Sequence, residues 1–125
     1  MQIKDLIIND GTADKTLSVV SSQAGSTIPA AWRSGTSAVN ALRAEAITRR
    51  VKGARRSKAE IRFVQPVVQT KDGVESLVET ATFAFTATLP DVLSMSDRKK
   101  LRASFLSFVN SDVIAAIIEQ DSPAY

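Results

Sequence analysis

The stretch RAEAITRRVKGARRSKAEIRF, residues 43–63, decides how this chain folds. Its even positions include Thr48, Arg50, Lys52, Arg56, Lys58, Glu60 and Arg62, and its odd positions Ile47, Val51, Ala59, Ile61 and Phe63. A side-chain period of two belongs to a β-strand with one covered face and one wet face. Gly53 divides the stretch, so it reads as two strands, Ala41 to Val51 and Ser57 to Val68, joined by a turn over Lys52–Arg56. Ala, Leu, Arg and Glu in the first half also favour a helix. Pro66 is hard to place inside one, and the two-strand reading accounts for both halves.

The wet parity is cationic. Half of the chain's 16 Lys and Arg lie between Arg43 and Arg62, against Glu45 and Glu60. Such a face has a bland reading, as a solvated sheet edge whose charges prevent aggregation. Charge on one parity of adjacent strands forms a patch rather than a rim, however, and a positive patch points to a polyanion, nucleic acid first. Arg50, Lys52, Arg56, Lys58 and Arg62 are the candidates for phosphate contact, with Thr48, Thr82 and Thr86 supplying hydroxyls. Contacts of this kind give salt-sensitive, largely sequence-tolerant affinity. No aromatic falls on the wet parity, so base stacking, on which reading single-stranded RNA usually depends, has no platform there. Trp32 reads as a core or interface residue.

Working outward, Ile3 to Ile8 is an apolar run closed by Asn9-Asp10-Gly11, a turn signal, and Thr16 to Val20 alternates behind it. The two form an expected N-terminal hairpin. Pro29 to Arg33 is a short strand. Asp72-Gly73 signals a second hairpin. Beyond it Leu77 to Leu89 alternates Phe83, Phe85, Ala87 and Leu89 against Thr82, Ala84, Thr86 and Thr88. The covered face of the sheet is expected to hold Ile47, Ile61, Phe63, Phe83 and Phe85. The period then changes: Leu101, Phe105, Phe108 and Val109 make a helical stripe, with Ser96 as its expected N-cap and Asp97 in the first turn. Arg98, Lys99, Lys100 and Arg102 oppose the helix dipole and are expected in solvent. Asn110 ends this helix. Ser111-Asp112 opens a second through Val113, Ile114, Ile117 and Ile118, stopped by Pro123. Strands over residues 1–90 and helices over about 96–120 make a single α+β domain with helices on one sheet face. Two short helices are a thin cover for a wide sheet, and a dimer whose helices lie over one another's sheets supplies the rest.

The 125 residues, 44% apolar and 23% charged, are ordinary for a globular chain, and the net charge of +3 matters only through its clustering. The chain has no Cys and no His. That excludes disulfides, thiolate chemistry and a Ser-His-Asp triad, and removes the usual general base and metal ligands. Glu75 with Glu79, and Asp91 with Asp97, are explained by turn and helix-start contexts. No phosphate-binding glycine loop is present, so no enzyme, metal or cofactor is expected. Neither a signal peptide nor a membrane span is legible, which leaves a soluble protein used in a cytoplasm as the expectation.

In order and length the chain resembles the coat proteins of the single-stranded RNA bacteriophages, the levivirus type. The resemblance rests on Asn9-Asp10-Gly11-Thr12, Ala30-Ala31-Trp32-Arg33-Ser34, Ile61-Arg62-Phe63-Val64-Gln65-Pro66, Gly73-Val74-Glu75, Thr88-Leu89-Pro90, Ile114-Ala115 and the final Tyr125. It implies an N-terminal β-hairpin, a five-stranded antiparallel sheet and two C-terminal helices, with an interlocked homodimer presenting a ten-stranded sheet. It further implies dimers that close into an icosahedral virion shell around the single-stranded RNA genome, assembled in a bacterial host cytoplasm. Many members also bind an operator hairpin and repress translation.

Carried over by position, the RNA face would include Ala46, Thr48, Arg50, Lys58, Glu60, Arg62, Thr82 and Ala84. Thr82 and Ala84 stand where relatives place a stacking tyrosine and an asparagine. Ala46 stands where they place a small hydroxyl residue. These departures favour electrostatic packaging. The alternative is a dimeric RNA-binding regulator that builds no particle.

Overall fold

A computed structural model describes residues 2–35 and 40–123. Six strands precede two helices: β1 (Leu6–Asn9), β2 (Asp14–Ser21), β3 (Ala30–Ser34), β4 (Leu42–Arg50), β5 (Arg56–Lys71), β6 (Val74–Pro90), α1 (Met95–Val109) and α2 (Asp112–Gln120). The strands form one sheet in sequence order, β1-β2-β3-β4-β5-β6. This is the expected α+β order, but the strand count differs: the hairpin β1-β2 is continuous with β3 to β6 in one six-stranded sheet, where a hairpin and a five-stranded sheet were expected. The chain divides into two compact units, Met1–Leu89 and Pro90–Tyr125.

Local chemistry explains the turns. Between β1 and β2 the Asp10 carboxylate accepts from the backbone N–H groups of Ala13 and Thr12 and from the Thr12 hydroxyl, at 2.8–2.9 Å. The Asn9 side chain accepts from Gly11 N–H at 2.7 Å and donates to Asp14. These bonds, first that from Ala13, with Lys15 3.6 Å away, hold the Asp10 carboxyl far below its ordinary value. A carboxylate with a depressed folded-state pKa stabilises the fold above its unfolded pKa, and that stabilisation fades as pH falls towards the folded value. Asp10→Ala should therefore lower the melting temperature at pH 7. The gap from the unsubstituted protein should narrow between about pH 5 and pH 2, where unfolded aspartate begins to protonate. A gap of constant width would show that the carboxylate's charge plays no part.

The β5–β6 turn is the two-residue loop Asp72-Gly73, with φ of 54° and 76°. Both residues in the left-handed region make the hairpin turn whose twist matches its strands, as the Asp-Gly pair predicts. The β4–β5 connection is longer, Val51 to Arg55, with Gly53 at φ 75° and the N–H of Val51 donating to the Arg56 carbonyl.

Helix α1 begins two residues earlier than expected. Ser94, not Ser96, is its N-cap, because Ser94 and Asp97 cap each other: Asp97 N–H donates to Ser94 Oγ and Ser94 N–H to the Asp97 carboxylate. Asn110 caps its C-terminus and Ser111 opens α2, both as expected. Helix α2 stops at Asp121, which takes a left-handed conformation, two residues before Pro123. Lys99, Lys100 and Arg102 are exposed, while Arg98 is half-buried and donates to the Pro90 carbonyl.

The buried apolar core is small among the described residues: Leu17, Ala41, Leu42, Ile47 and Val64, with Pro66 of β5 also buried. Phe83 and Phe85, expected under cover, are 53% and 41% exposed. In the helices Leu101, Phe105, Phe108, Val113, Ile117 and Ile118 are also exposed. No single described helix is long and apolar enough to cross a membrane; α1 and α2 reach that length only as a pair bent by 52°.

Candidate nucleic-acid interface

The register of the two basic strands sorts their side chains. Arg43 pairs with Val64, Glu45 with Arg62, Ile47 with Glu60 and Arg49 with Lys58. The alternate pairs are Ala44 with Phe63, Ala46 with Ile61, Thr48 with Ala59 and Arg50 with Ser57. Residues directly opposite one another in a ladder project from the same face. Odd positions of β4 therefore share a face with even positions of β5. Strand β3 extends both sets: Arg33 lies across from Arg43 and Ala31 from Glu45, while Trp32 lies across from Ala44.

One face thus carries Arg33, Arg43, Arg49, Lys58 and Arg62 against Glu45 and Glu60, with Ile47 8% exposed in their midst. The other carries Trp32, Ala44, Ala46, Ala59, Ile61 and Phe63, together with Thr48 and Arg50. This corrects the single even-parity face expected from the sequence. Lys58 and Arg62 lie on the basic face. Thr48 and Arg50 lie on the opposite one, and the resemblance-based placement of Ala46 with Lys58 fails for the same reason. Arg33, Arg43 and Arg49 join the basic face, and their odd-position charge was the signal that could have found them. Arg56 opens β5 on the parity of Lys58, and Lys52 sits in the turn. Thr82 and Thr86 lie exposed on β6, with Ala84 between them on the same side of that strand.

Electrostatically the face is organised around Glu60. Its carboxylate accepts a hydrogen bond from the Arg49 guanidinium and lies 3.4 Å from Lys58 Nζ. The Arg49 bond is the chief cause of a Glu60 pKa below the ordinary glutamate value. The Nε of Arg49 is closed off from solvent and has no partner among the described residues. A hollow of about 370 Å³ opens on this face between the loop residues Ser26, Thr27 and Pro29 and the sheet residues Glu45, Ile47, Arg49, Glu60 and Arg62.

On the opposite face the Trp32 indole donates to the Lys4 carbonyl at 2.9 Å, tying the N-terminal segment to β3. Past Ala46 the β3 ladder ends. There the Gln23 amide replaces it, donating to the Thr48 carbonyl at 2.6 Å and accepting from Thr48 N–H at 3.1 Å. Trp32 is therefore a structural anchor. Tyr125 falls outside the described residues. Among the described residues no cluster of three metal-ligating side chains occurs. The arrangement offers a broad cationic surface, shallowly indented and partly self-neutralised, suited to phosphates.

No protein-family model and no curated protein sequence matches the chain. Solved structures do. The virus-like particle of Beihai levi-like virus 21 superposes with a TM-score of 0.90 at 23% identity, covering 100% of this chain and 99% of that one. The bacteriophage GA protein capsid gives 0.78 at 28% identity, over 98% and 97%. An unassembled virus coat protein dimer, described as a bacteriophage RNA-binding dimer, gives 0.71 at 23% identity, over 98% and 97%. An antiparallel sheet followed by two helices, end to end along the chain, is the fold these structures share with it.

Proposed function

We propose that this chain, which has the fold of the levivirus-type coat proteins, is a viral capsid protein: it dimerises, the dimers close into an icosahedral shell, and the basic sheet face holds packaged single-stranded RNA. Its role is structural rather than enzymatic, as in the coat proteins that share its fold.

The observation that carries this reading is the apolar surface a lone chain leaves in water. Phe83 and Phe85 on β6, and Phe108, Ile117 and Ile118 on the helices, are all at least 40% exposed. Strand β6 is 17 residues long, lies at the end of the sheet, and is exposed along its first 13 residues. A long open edge flanked by half-exposed phenylalanines is an association site. A second copy pairing along β6 would join two sheets into one of ten strands, counting β2 to β6 of each and leaving β1 aside. Burying each such aromatic or aliphatic side chain contributes roughly 1.5–3 kcal/mol. The virion is the location this function implies, with assembly in the cytoplasm of a bacterial host.

Purified protein should elute in gel filtration as particles far larger than a dimer and protect RNA from nuclease. A small species that binds RNA tightly and selectively but forms no particle would mark a regulator instead, and a species without salt-dependent RNA affinity would leave the basic face a solubility device.

A further inference from the structure

We infer that Glu60 is a built-in competitor for RNA phosphates, occupying Arg49 and Lys58 until nucleic acid displaces it and so setting how tightly the face holds its cargo. The inference rests on the proposed RNA-binding role of that face. Its grounds are geometric. Glu60 stands on the basic face opposite Ile47, so Arg49 is its diagonal neighbour and Lys58 its neighbour along the strand. It engages both, through the Arg49 hydrogen bond and the 3.4 Å approach of Lys58. The bond to Glu60 uses one Nη of Arg49. The guanidinium fork, which suits two oxygens of one phosphate, is therefore only partly engaged by the carboxylate.

All three side chains are about one-third to two-fifths exposed. A phosphate can reach them, and the competing pairs are weak enough to exchange. Arg62, exposed on the same face, forms no ion pair among the described residues and is open to a phosphate. The face thus has cations of two kinds, some ready and two held in reserve.

Binding of oligouridine to the purified protein, titrated over a series of salt concentrations, tests this with Glu60→Gln, and with Glu60→Thr as a second replacement that keeps strand propensity. Both variants should bind several-fold more tightly than the unsubstituted protein. The dependence of log affinity on log salt should steepen by about 0.7 for each cation released to a phosphate. Unchanged or weaker binding with an unchanged slope, in variants that retain the native melting transition, would overturn the inference. Arg62→Ala, measured alongside, separates the two claims: it should weaken binding. If it does and the Glu60 variants bind no tighter, the competitor role alone fails; if Arg62→Ala has no effect, the face is not the RNA interface.

Discussion

Replacing Phe108 with Asp is expected to abolish particle formation outright. Phe108 is 61% exposed in the single chain, on a helix with no buried residue among those described. A 15-residue helix with no fully buried described residue draws little stability from its own chain beyond propensity and its caps, and relies on what it packs against in a partner. If a second copy covers Phe108, a carboxylate there forfeits the few kcal/mol of an aromatic side chain and leaves a charge in an apolar contact. In a chain with so small a core, losing the partner also removes much of the folded state's support, because the stability of an obligate dimer cannot be separated from association. Gel filtration and electron microscopy should show no shells and a species that is monomeric or aggregated. Particles of unaltered size and melting temperature would place Phe108 outside every interface and remove the main support for association through the helices.

The second large effect concerns the cargo. Replacing Arg43, Lys58 and Arg62 together with Ala is expected to yield shells that assemble but protect far less RNA. The three project from one face. At a single-strand slope of about 0.7 per phosphate contact, losing three contacts weakens binding by one to two orders of magnitude at moderate salt. Arg50→Ala is the matched control, since Arg50 pairs with Ser57 on the opposite face. It should leave the protected RNA nearly unchanged. Nuclease-protected RNA per unit of protein measures both. Equal losses from the triple replacement and from Arg50→Ala would mean that charge total, rather than face, governs packaging.

The contrast between Arg50 and Arg62 shows where sequence reading stopped. Within each strand the period of two was legible, and the bounds of β4 and β5 follow it closely. The phase between the strands was not. Partners across the β4–β5 ladder have numbers that add to an odd total, as in Arg49 with Lys58, because the last pair, Arg50 with Ser57, encloses six residues, an even number. One residue more or fewer would have matched even with even, and nothing in the turn's composition announces its length. The Asp72-Gly73 turn was the opposite case, since its two residues dictate both the backbone conformation and the loop length. At α1, Ser94 and Ser96 are equally good caps by type, but only Ser94 has an acid three residues on, and its reciprocal bonds with Asp97 decide between them. The uncovered phenylalanines were legible as a covering problem. Their solution by a second copy belongs to assembly, which no single chain contains.

An image reconstruction of the purified particle tests the central claim most directly. It should show a closed shell of dimers with nucleic-acid density against the face that carries Arg43, Lys58 and Arg62, and none against the face of Trp32 and Phe63. Density lying instead over the Trp32 face, or a protein that forms no closed shell, would contradict the account.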